Sequence, residues 1–153
     1  MSVLAVNRKQ SDFKVISYIF DIRKELTTYV LRDFAIDGKL DYMEEYFLND
    51  ERTEILHDIR GAASCLEMAN SIMIMNESEY YERRNYQDRA IGYLNCLKQE
   101  LNFVVETLGK KINVNKYLRS IEMIDEEIGL ISRWRKSDNK RLKDLLNDSK
   151  TKE

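Results

Sequence analysis

The sequence predicts an all-α fold, an up-down antiparallel four-helix bundle, and three observations support that prediction. The 153 residues contain no proline and only five glycines, so long helices joined by few turns are expected, because proline breaks helices and usually punctuates loops. Four segments place apolar residues at alternating spacings of three and four, the period of a helix that buries one face. The last three segments are joined by short connections, which favour antiparallel neighbours.

The first two segments predict helices over about residues 11–33 and 50–75. Their apolar stripes are, in order, Val15, Ile19, Ile22, Leu26 and Tyr29, and then Ile55, Ile59, Ala62, Leu66, Ala69 and Met73. A long connection over residues 34–49 separates the two helices and has room for a short extra helix. Seven acids and two bases lie between Asp37 and Glu54, so this end of the molecule is predicted to be negatively charged.

The third and fourth segments predict helices over about residues 79–108 and from about residue 114 into Trp134. Asn76 and Ser78 supply capping chemistry before the third helix, Gly109 ends it, and Asn113 or Asn115 caps the fourth. The apolar stripes are Tyr86, Ala90, Leu94, Leu97, Leu101, Val104 and Leu108, and then Val114, Tyr117, Ile121, Ile124, Ile128 and Ile131. We therefore divide the chain into an N-terminal arm (1–10), the bundle (11–143) and a flexible tail (144–153).

Composition narrows the class of protein. The formal net charge of −2 argues against a general polyanion binder, whose affinity comes from lysine and arginine, but it leaves room for a local basic patch. Cys65 and Cys96 lie in different helical patterns without a CxxC motif, as expected of core cysteines in a reducing cytosol. Neither a signal peptide nor an apolar run of about 20 residues is present. We expect a soluble, cytoplasmic protein that does not enter the membrane.

No combination of residues predicts catalysis. The one histidine, His57, follows Arg52 at the loose Arg-x4-His spacing of the HEPN ribonucleases, which are also helical bundles, and this is the less favoured alternative. Acidic residues around Glu122 and Glu127 lack the Glu-x-x-His pairs of di-iron bundles. We predict a non-enzymatic protein with no catalytic residues, no metal and no cofactor.

Two basic motifs are the candidate functional sites. The first, residues 80–90, interleaves Arg83, Arg84 and Arg89 with three tyrosines. The second, residues 133–141, places five cations around the only tryptophan: Arg133, Trp134, Arg135, Lys136, Lys140 and Arg141. In an antiparallel bundle the C-terminal end of the fourth helix lies beside the N-terminal end of the third, so both motifs should form one composite patch. Arginine with aromatic residues suits nucleic acid or an acidic protein, although pairing of the first motif's arginines with Glu79, Glu82 and Asp88 is an open alternative.

At these two motifs the sequence resembles the accessory variability determinant (Avd) family of diversity-generating retroelements, four-helix bundles related to proteins encoded in intervening sequences of ribosomal RNA. The matching residues are Arg83, Tyr86, Gln87 and Ala90 in the third helix and Trp134, Lys136 and Ser137 in the fourth. The resemblance implies an accessory protein that forms a homopentamer, binds the reverse transcriptase and template RNA or DNA, and supports mutagenic retrohoming. The contacts it implies are Arg83, Arg84, Arg89, Arg133, Arg135, Lys136, Lys140 and Arg141. Independently of the resemblance, we expect Trp134 to anchor this patch by packing. An oligomeric scaffold that binds only protein is the main alternative.

Overall fold

The computed structural model describes the backbone of residues 3–151 and the side chains of residues 14–151. Four helices follow one another: α1 (Val3–Glu25), α2 (Tyr42–Ser71), α3 (Glu77–Leu108) and α4 (Val114–Lys150). A π-helical turn, Leu26–Val30, extends α1, and a 3-10 turn, Gly109–Lys111, follows α3. The all-α, up-down four-helix bundle predicted from the sequence is confirmed.

Contacts between the helices establish their antiparallel order. Tyr18 and Glu25 of α1 contact Glu126 and Arg119 of α4, with donor–acceptor distances of 2.8 and 3.1 Å. In the same way, α3 approaches α4 through pairs whose numbers run in opposite directions, Gln87 with Asp138 and Lys98 with Asp125. One end of the bundle therefore contains the N-terminal part of α3 and the C-terminal part of α4, and we call it the basic end. The opposite end contains the connections from α1 to α2 and from α3 to α4, and we call it the acidic end.

The core follows the predicted apolar stripes, except that Tyr29 and Met73 are exposed and Tyr86, Val114, Ile121 and Ile128 are only partly buried. Representative fully buried side chains are Ile22, Ile55, Ile59, Leu66, Leu94, Leu97, Leu101 and Ile124. Each such side chain contributes about 1.5–3 kcal/mol of burial free energy, so the packing of the stripes is what holds the helices together. Polar residues interrupt this core at a few positions, among them Gln87 and Glu127.

Helix boundaries differ from the predicted ones where local capping decides them. Helix α2 begins at Tyr42 and not near residue 50, because Asp41 and Glu44 form a capping box in which each side chain accepts the other's backbone N–H. The predicted short extra helix is thus the first part of α2. Asn76 caps α3 in the same way with Glu79, Asn113 caps α4, and Gly109 ends α3 with a φ of 45°.

The two ends of the chain are more helical than expected. Helix α1 begins at Val3, inside the segment predicted as an arm, and α4 runs to Lys150, through most of the segment predicted as a tail. Apolar residues at helical spacing, Leu142, Leu145 and Leu146, continue the inner face of α4 beyond the basic motif. The domain division into arm, bundle and tail itself stays a prediction.

The acidic end is closed by hydrogen bonds between its two connections. Phe34 and Ala35 adopt left-handed backbone angles, with φ of 52° and 50°, which cost non-glycine residues about 1–2 kcal/mol each. The Asn113 N–H donates to the Ala35 carbonyl and the Tyr117 hydroxyl donates to the Phe34 carbonyl, both at 2.7 Å. Tertiary contacts therefore hold a turn that the local sequence disfavours.

Replacing Tyr117 with phenylalanine should lower the free energy of unfolding by about 1–3 kcal/mol, because the buried Phe34 carbonyl loses its donor. Burial raises the pKa of the Tyr117 phenol far above its usual value, and the charge of Asp33 adds to the shift, so the hydroxyl stays a donor. Urea unfolding measures the effect, with the exposed Tyr29→Phe as the matched control. Equal stabilities for the two variants would contradict this prediction.

Candidate nucleic-acid interface

The two basic motifs meet where the N-terminal part of α3 packs against the C-terminal part of α4. Gln87 Nε2 donates to Asp138 Oδ2 at 2.9 Å, and Arg84 Nη1 donates to Asn139 Oδ1 at 3.0 Å. The Tyr80 hydroxyl donates to the same Asn139 oxygen at 2.5 Å. These contacts bring the motifs together, as expected from the antiparallel order of the helices.

Arg83 and Trp134 form the buried part of this junction. Arg83 is 7% exposed, and its Nε lies 3.0 Å from Asp138 Oδ2 while its Nη1 donates to the Ile72 carbonyl at 3.1 Å. The guanidinium carbon lies 4.6 Å from the centre of the Trp134 ring, a cation–π contact, and Trp134 is only 2% exposed. Both residues were candidate contacts in the sequence, and their burial makes them anchors that join α2, α3 and α4.

Arg84 and Arg135 form a half-buried layer above these anchors. Arg84 Nε and Arg135 Nε lie 3.4 and 3.3 Å from the same Asp88 oxygen, so one carboxylate bridges α3 and α4. Pairing of an arginine with Asp88 is what the alternative interpretation of the first motif predicted. Glu79 does not pair with these arginines but caps α3. Exposed pairs of this type contribute at most about 1 kcal/mol each, so they orient the two arginines more than they stabilise the fold.

A row of exposed cations follows on the outer side of α4, and we call Arg133, Lys136, Lys140 and Lys143 the α4 stripe. Their spacings of three, four and three place them on one face of the helix, opposite the buried Trp134 and Asp138. At 1.5 Å per residue the stripe is about 15 Å long. No ion pair joins these four cations to another residue within 14–151. The stripe therefore presents charge to solvent.

The remaining predicted contacts lie outside the α4 stripe. Arg141 is half-buried and follows Trp134 by two helical turns, so it lies on the inner side of α4. Arg89 is exposed, and its guanidinium carbon lies 5.8 Å from the Tyr86 ring centre. Arg89 lies one helical turn before Tyr93, whose ring packs against His57 of α2, so Arg89 lies toward the α2 side of α3. The structure thus does not bring Arg89 to the α4 stripe.

Arg52 and His57, the pair behind the ribonuclease alternative, point to different neighbours. Arg52 Nε donates to the Leu31 carbonyl at 3.0 Å, its Nη1 donates to Asn49 at 2.9 Å, and its guanidinium lies over the Phe34 ring. The exposed His57 packs edge-on against Tyr93 of α3, with 6.0 Å between ring centres. Arg52 is therefore engaged in holding the turn after α1 and does not face His57.

Buried acids are the other notable polar feature of the bundle. Burial raises the pKa of Glu51 to about 8, and a hydrogen bond shared with Glu100 of α3 adds to the shift. In residues 14–151 no group of three or more metal-ligating side chains has the arrangement that a metal ion requires. Because Glu51 keeps its proton up to about pH 8, its carboxyl group can donate the hydrogen bond to Glu100.

The fold and this geometry define an all-α four-helix bundle that carries a cationic surface on its last helix. Comparison of the chain with models of protein families, with curated proteins and with solved structures finds no match. Over residues 3–151, none of the helices combines the length and the apolar composition that a bilayer crossing requires.

Proposed function

We propose that this chain is a non-enzymatic accessory protein of a diversity-generating retroelement, which binds the reverse transcriptase and template RNA or DNA and supports mutagenic retrohoming. The observation that carries the proposal is the α4 stripe, four exposed cations on one face of a helix whose opposite face is anchored to α3. The family resemblance at Arg83, Tyr86, Gln87, Ala90, Trp134, Lys136 and Ser137 supplies the partner. By that resemblance the bundle assembles into a homopentamer in the cytoplasm.

The stripe accounts for phosphate binding by a protein with a net charge of −2. Seven acids of residues 37–54 lie toward the acidic end, whereas the stripe lies at the basic end, so the length of the bundle separates the two charges. Coulombic repulsion is screened beyond about 8–10 Å at physiological salt. A phosphate strand at the basic end is therefore governed by local charge and not by net charge.

Replacing Arg133, Lys136 and Lys140 together with glutamine should weaken binding of single-stranded RNA at least tenfold at about 100 mM salt. The slope of log affinity against log salt should fall in magnitude by about two, because three phosphate contacts are lost. Fluorescence anisotropy with a labelled RNA, titrated at several salt concentrations, measures both quantities.

The matched control replaces three exposed lysines of the opposite end, Lys24, Lys110 and Lys116, with glutamine. Both triple variants change the net charge by the same amount, so a general electrostatic effect would weaken them equally. Unchanged affinity in the stripe variant, or equal loss in both, would remove the assignment of the stripe as the RNA site.

The reverse-transcriptase partner and the oligomer have their own tests. Co-expression with the reverse transcriptase of the same retroelement should yield a complex that survives size-exclusion chromatography, and light scattering should give the mass of a homopentamer. A strict monomer that does not retain the enzyme would contradict this part of the proposal, whatever the outcome of the RNA titration.

A scaffold that contacts only protein is the second candidate, and an apolar groove between α1 and α2 favours it. The groove has a volume of about 740 Å³ and is lined by Ile16, Ile19, Ala63 and Met68, among others. Phe20 at its edge is 66% exposed, and exposed apolar surface of this kind is typical of protein contacts. Oligomerisation without salt-dependent RNA binding would select this candidate. RNA cleavage lost on His57→Ala would instead select the ribonuclease alternative.

A further inference from the structure

Tyr81 is an exposed aromatic side chain held in a fixed position at the basic end. Its ring is 53% exposed and packs edge-on against Tyr80, with 5.1 Å between ring centres and an interplanar angle of 76°. Tyr80 is buried, and its hydroxyl donates to Asn139 of α4 at 2.5 Å. One side of Tyr81 is thus supported by a ring that is itself hydrogen-bonded to the neighbouring helix, while about half of the Tyr81 residue is open to solvent.

The position of Tyr81 places it beside the α4 stripe. Residues three apart on a helix are surface neighbours, so Tyr81 adjoins Arg84, whose Nη1 donates to Asn139. Asn139 directly precedes Lys140 and follows Lys136 by three residues, and both lysines belong to the stripe. The ring, Arg84 and the stripe therefore form one continuous surface across the seam between α3 and α4.

The surroundings of Tyr81 suit a base better than a phosphate. Glu77 lies one helical turn before Tyr81 and Glu82 directly follows it, both exposed, and their negative charges oppose a phosphate at this point. A base presents a flat, uncharged face that stacks on an aromatic ring whatever its sequence. Trp134 cannot play this part, because it is buried beneath Arg83.

We propose that Tyr81 is a stacking platform for an unpaired base of a single-stranded RNA whose phosphates contact the α4 stripe. This inference rests on the proposed function, since it requires that the stripe binds nucleic acid. It goes beyond that function by adding a recognition residue and by specifying unpaired RNA. In a duplex the bases are stacked on each other and their faces are closed to Tyr81.

The test compares a labelled single-stranded RNA of about 12 nucleotides, within the span of common single-strand sites, with a duplex of the same sequence. Tyr81→Ala should weaken single-strand binding by about tenfold, within the roughly 5- to 150-fold effect of losing one stacked base. Duplex binding should stay within about twofold, since the phosphates of a duplex meet only the stripe. Tyr81→Phe should bind both RNAs as the unmodified protein does.

Two further variants make the result specific. Tyr81→Leu keeps apolar volume without a π face, so it should behave like Tyr81→Ala, and full binding by the leucine variant would overturn the stacking assignment. Tyr42→Ala removes a ring at the acidic end that is more exposed than Tyr81, 77% against 53%, and should leave RNA binding unchanged. Because Tyr81 is exposed, thermal melting should show that all the variants fold.

The possible failures separate this inference from the proposed function. Salt-dependent RNA binding that Tyr81→Ala leaves intact would overturn the inference and leave the function standing. Equal loss on single strand and duplex would also overturn it, as would loss of reverse-transcriptase binding alone, which would make Tyr81 a protein contact. Absence of any RNA binding by the unmodified protein would remove both the RNA site and the inference.

Discussion

Asp138→Ala is expected to destabilise the bundle by about 3–5 kcal/mol, because it removes the carboxylate that faces the buried Arg83 guanidinium. Both side chains are 8% exposed, and their Nε and Oδ2 atoms lie 3.0 Å apart. An arginine side chain does not lose its proton in a protein, so the charge of Arg83 cannot be neutralised. Gln87 Nε2 loses its acceptor in the same step. Urea unfolding at neutral pH measures the change.

Asp88→Ala is the matched control. Asp88 also pairs with arginine, in its case with Arg84 and Arg135, but its side chain is half-exposed. Its cost should not exceed about 1 kcal/mol, the range of exposed ion pairs. The double variant Arg83→Met/Asp138→Leu should recover most of the stability lost in Asp138→Ala, because apolar residues of similar volume often replace a buried ion pair without loss. Equal costs for the two alanine variants would contradict the burial argument.

The same double variant separates the two roles that Arg83 could have. If Arg83 anchors the junction, the double variant keeps its fold and binds RNA as the unmodified protein does, because the exposed α4 stripe is intact. If Arg83 contacts phosphate itself, the variant folds but loses affinity. Anisotropy titration on the folded double variant decides between these outcomes.

The sequence predicted the bundle and the antiparallel order of its helices because the relevant signals are local. Apolar spacing defines the inner face of each helix, and Asn76, Gly109 and Asn113 mark ends through capping that depends on neighbouring residues. The early start of α2 has a local signal too, the capping box of Asp41 and Glu44, but the segment between the first two apolar stripes was predicted as a connection. The left-handed turn at Phe34 carried no such signal, because contacts from Asn113 and Tyr117, far along the chain, stabilise it.

At the candidate site, the sequence predicted which motifs meet but not which residues face inward. Arg83 and Arg84 are consecutive, and only the exact register of α3 decides that the first is buried and the second half-exposed. The predicted apolar stripe of the third helix included Tyr86, whereas Gln87 occupies the core position. Continuing the alternation of three and four back from Ala90 reaches Gln87 and Arg83, whose polar side chains can be buried only because Asp138 of α4 faces them.

Glu127→Gln is expected to stabilise the protein by a few kcal/mol at pH 9 and to leave it nearly unchanged at pH 4. Glu127 is 0% exposed, and neither carboxyl oxygen has a hydrogen-bond partner within residues 14–151. Burial raises its pKa from 4.5 to about 8, and the charge of Glu126 adds to the shift. An uncharged carboxyl group is therefore the form that the fold accommodates.

The direction of the pH dependence follows from that shift. The folded state holds the proton more tightly than the unfolded chain does, so the free energy of unfolding falls as pH rises from about 4.5 to 8 and levels off above that range. Each unit of difference between the folded and unfolded pKa of Glu127 corresponds to about 1.4 kcal/mol. The loss in free energy of unfolding therefore has an upper bound on the order of 5 kcal/mol. Water entry and relaxation around the charge reduce the bound, which is why a few kcal/mol are expected.

Urea unfolding at pH 4, 7 and 9 tests this prediction, with Glu122→Gln, an exposed glutamate of the same helix, as the control. Glu127→Gln should flatten the decline seen in the unmodified protein, and Glu122→Gln should leave it in place. The pKa of Glu51 is also raised to about 8, and burial raises the pKa of Asp58, so a smaller decline should persist and Glu51→Gln should reduce it further. The prediction would be wrong if the decline were the same with and without Glu127→Gln. The ionised Glu127 would then have a partner or contact water, and the packing of α4 around residue 127 would be open to solvent.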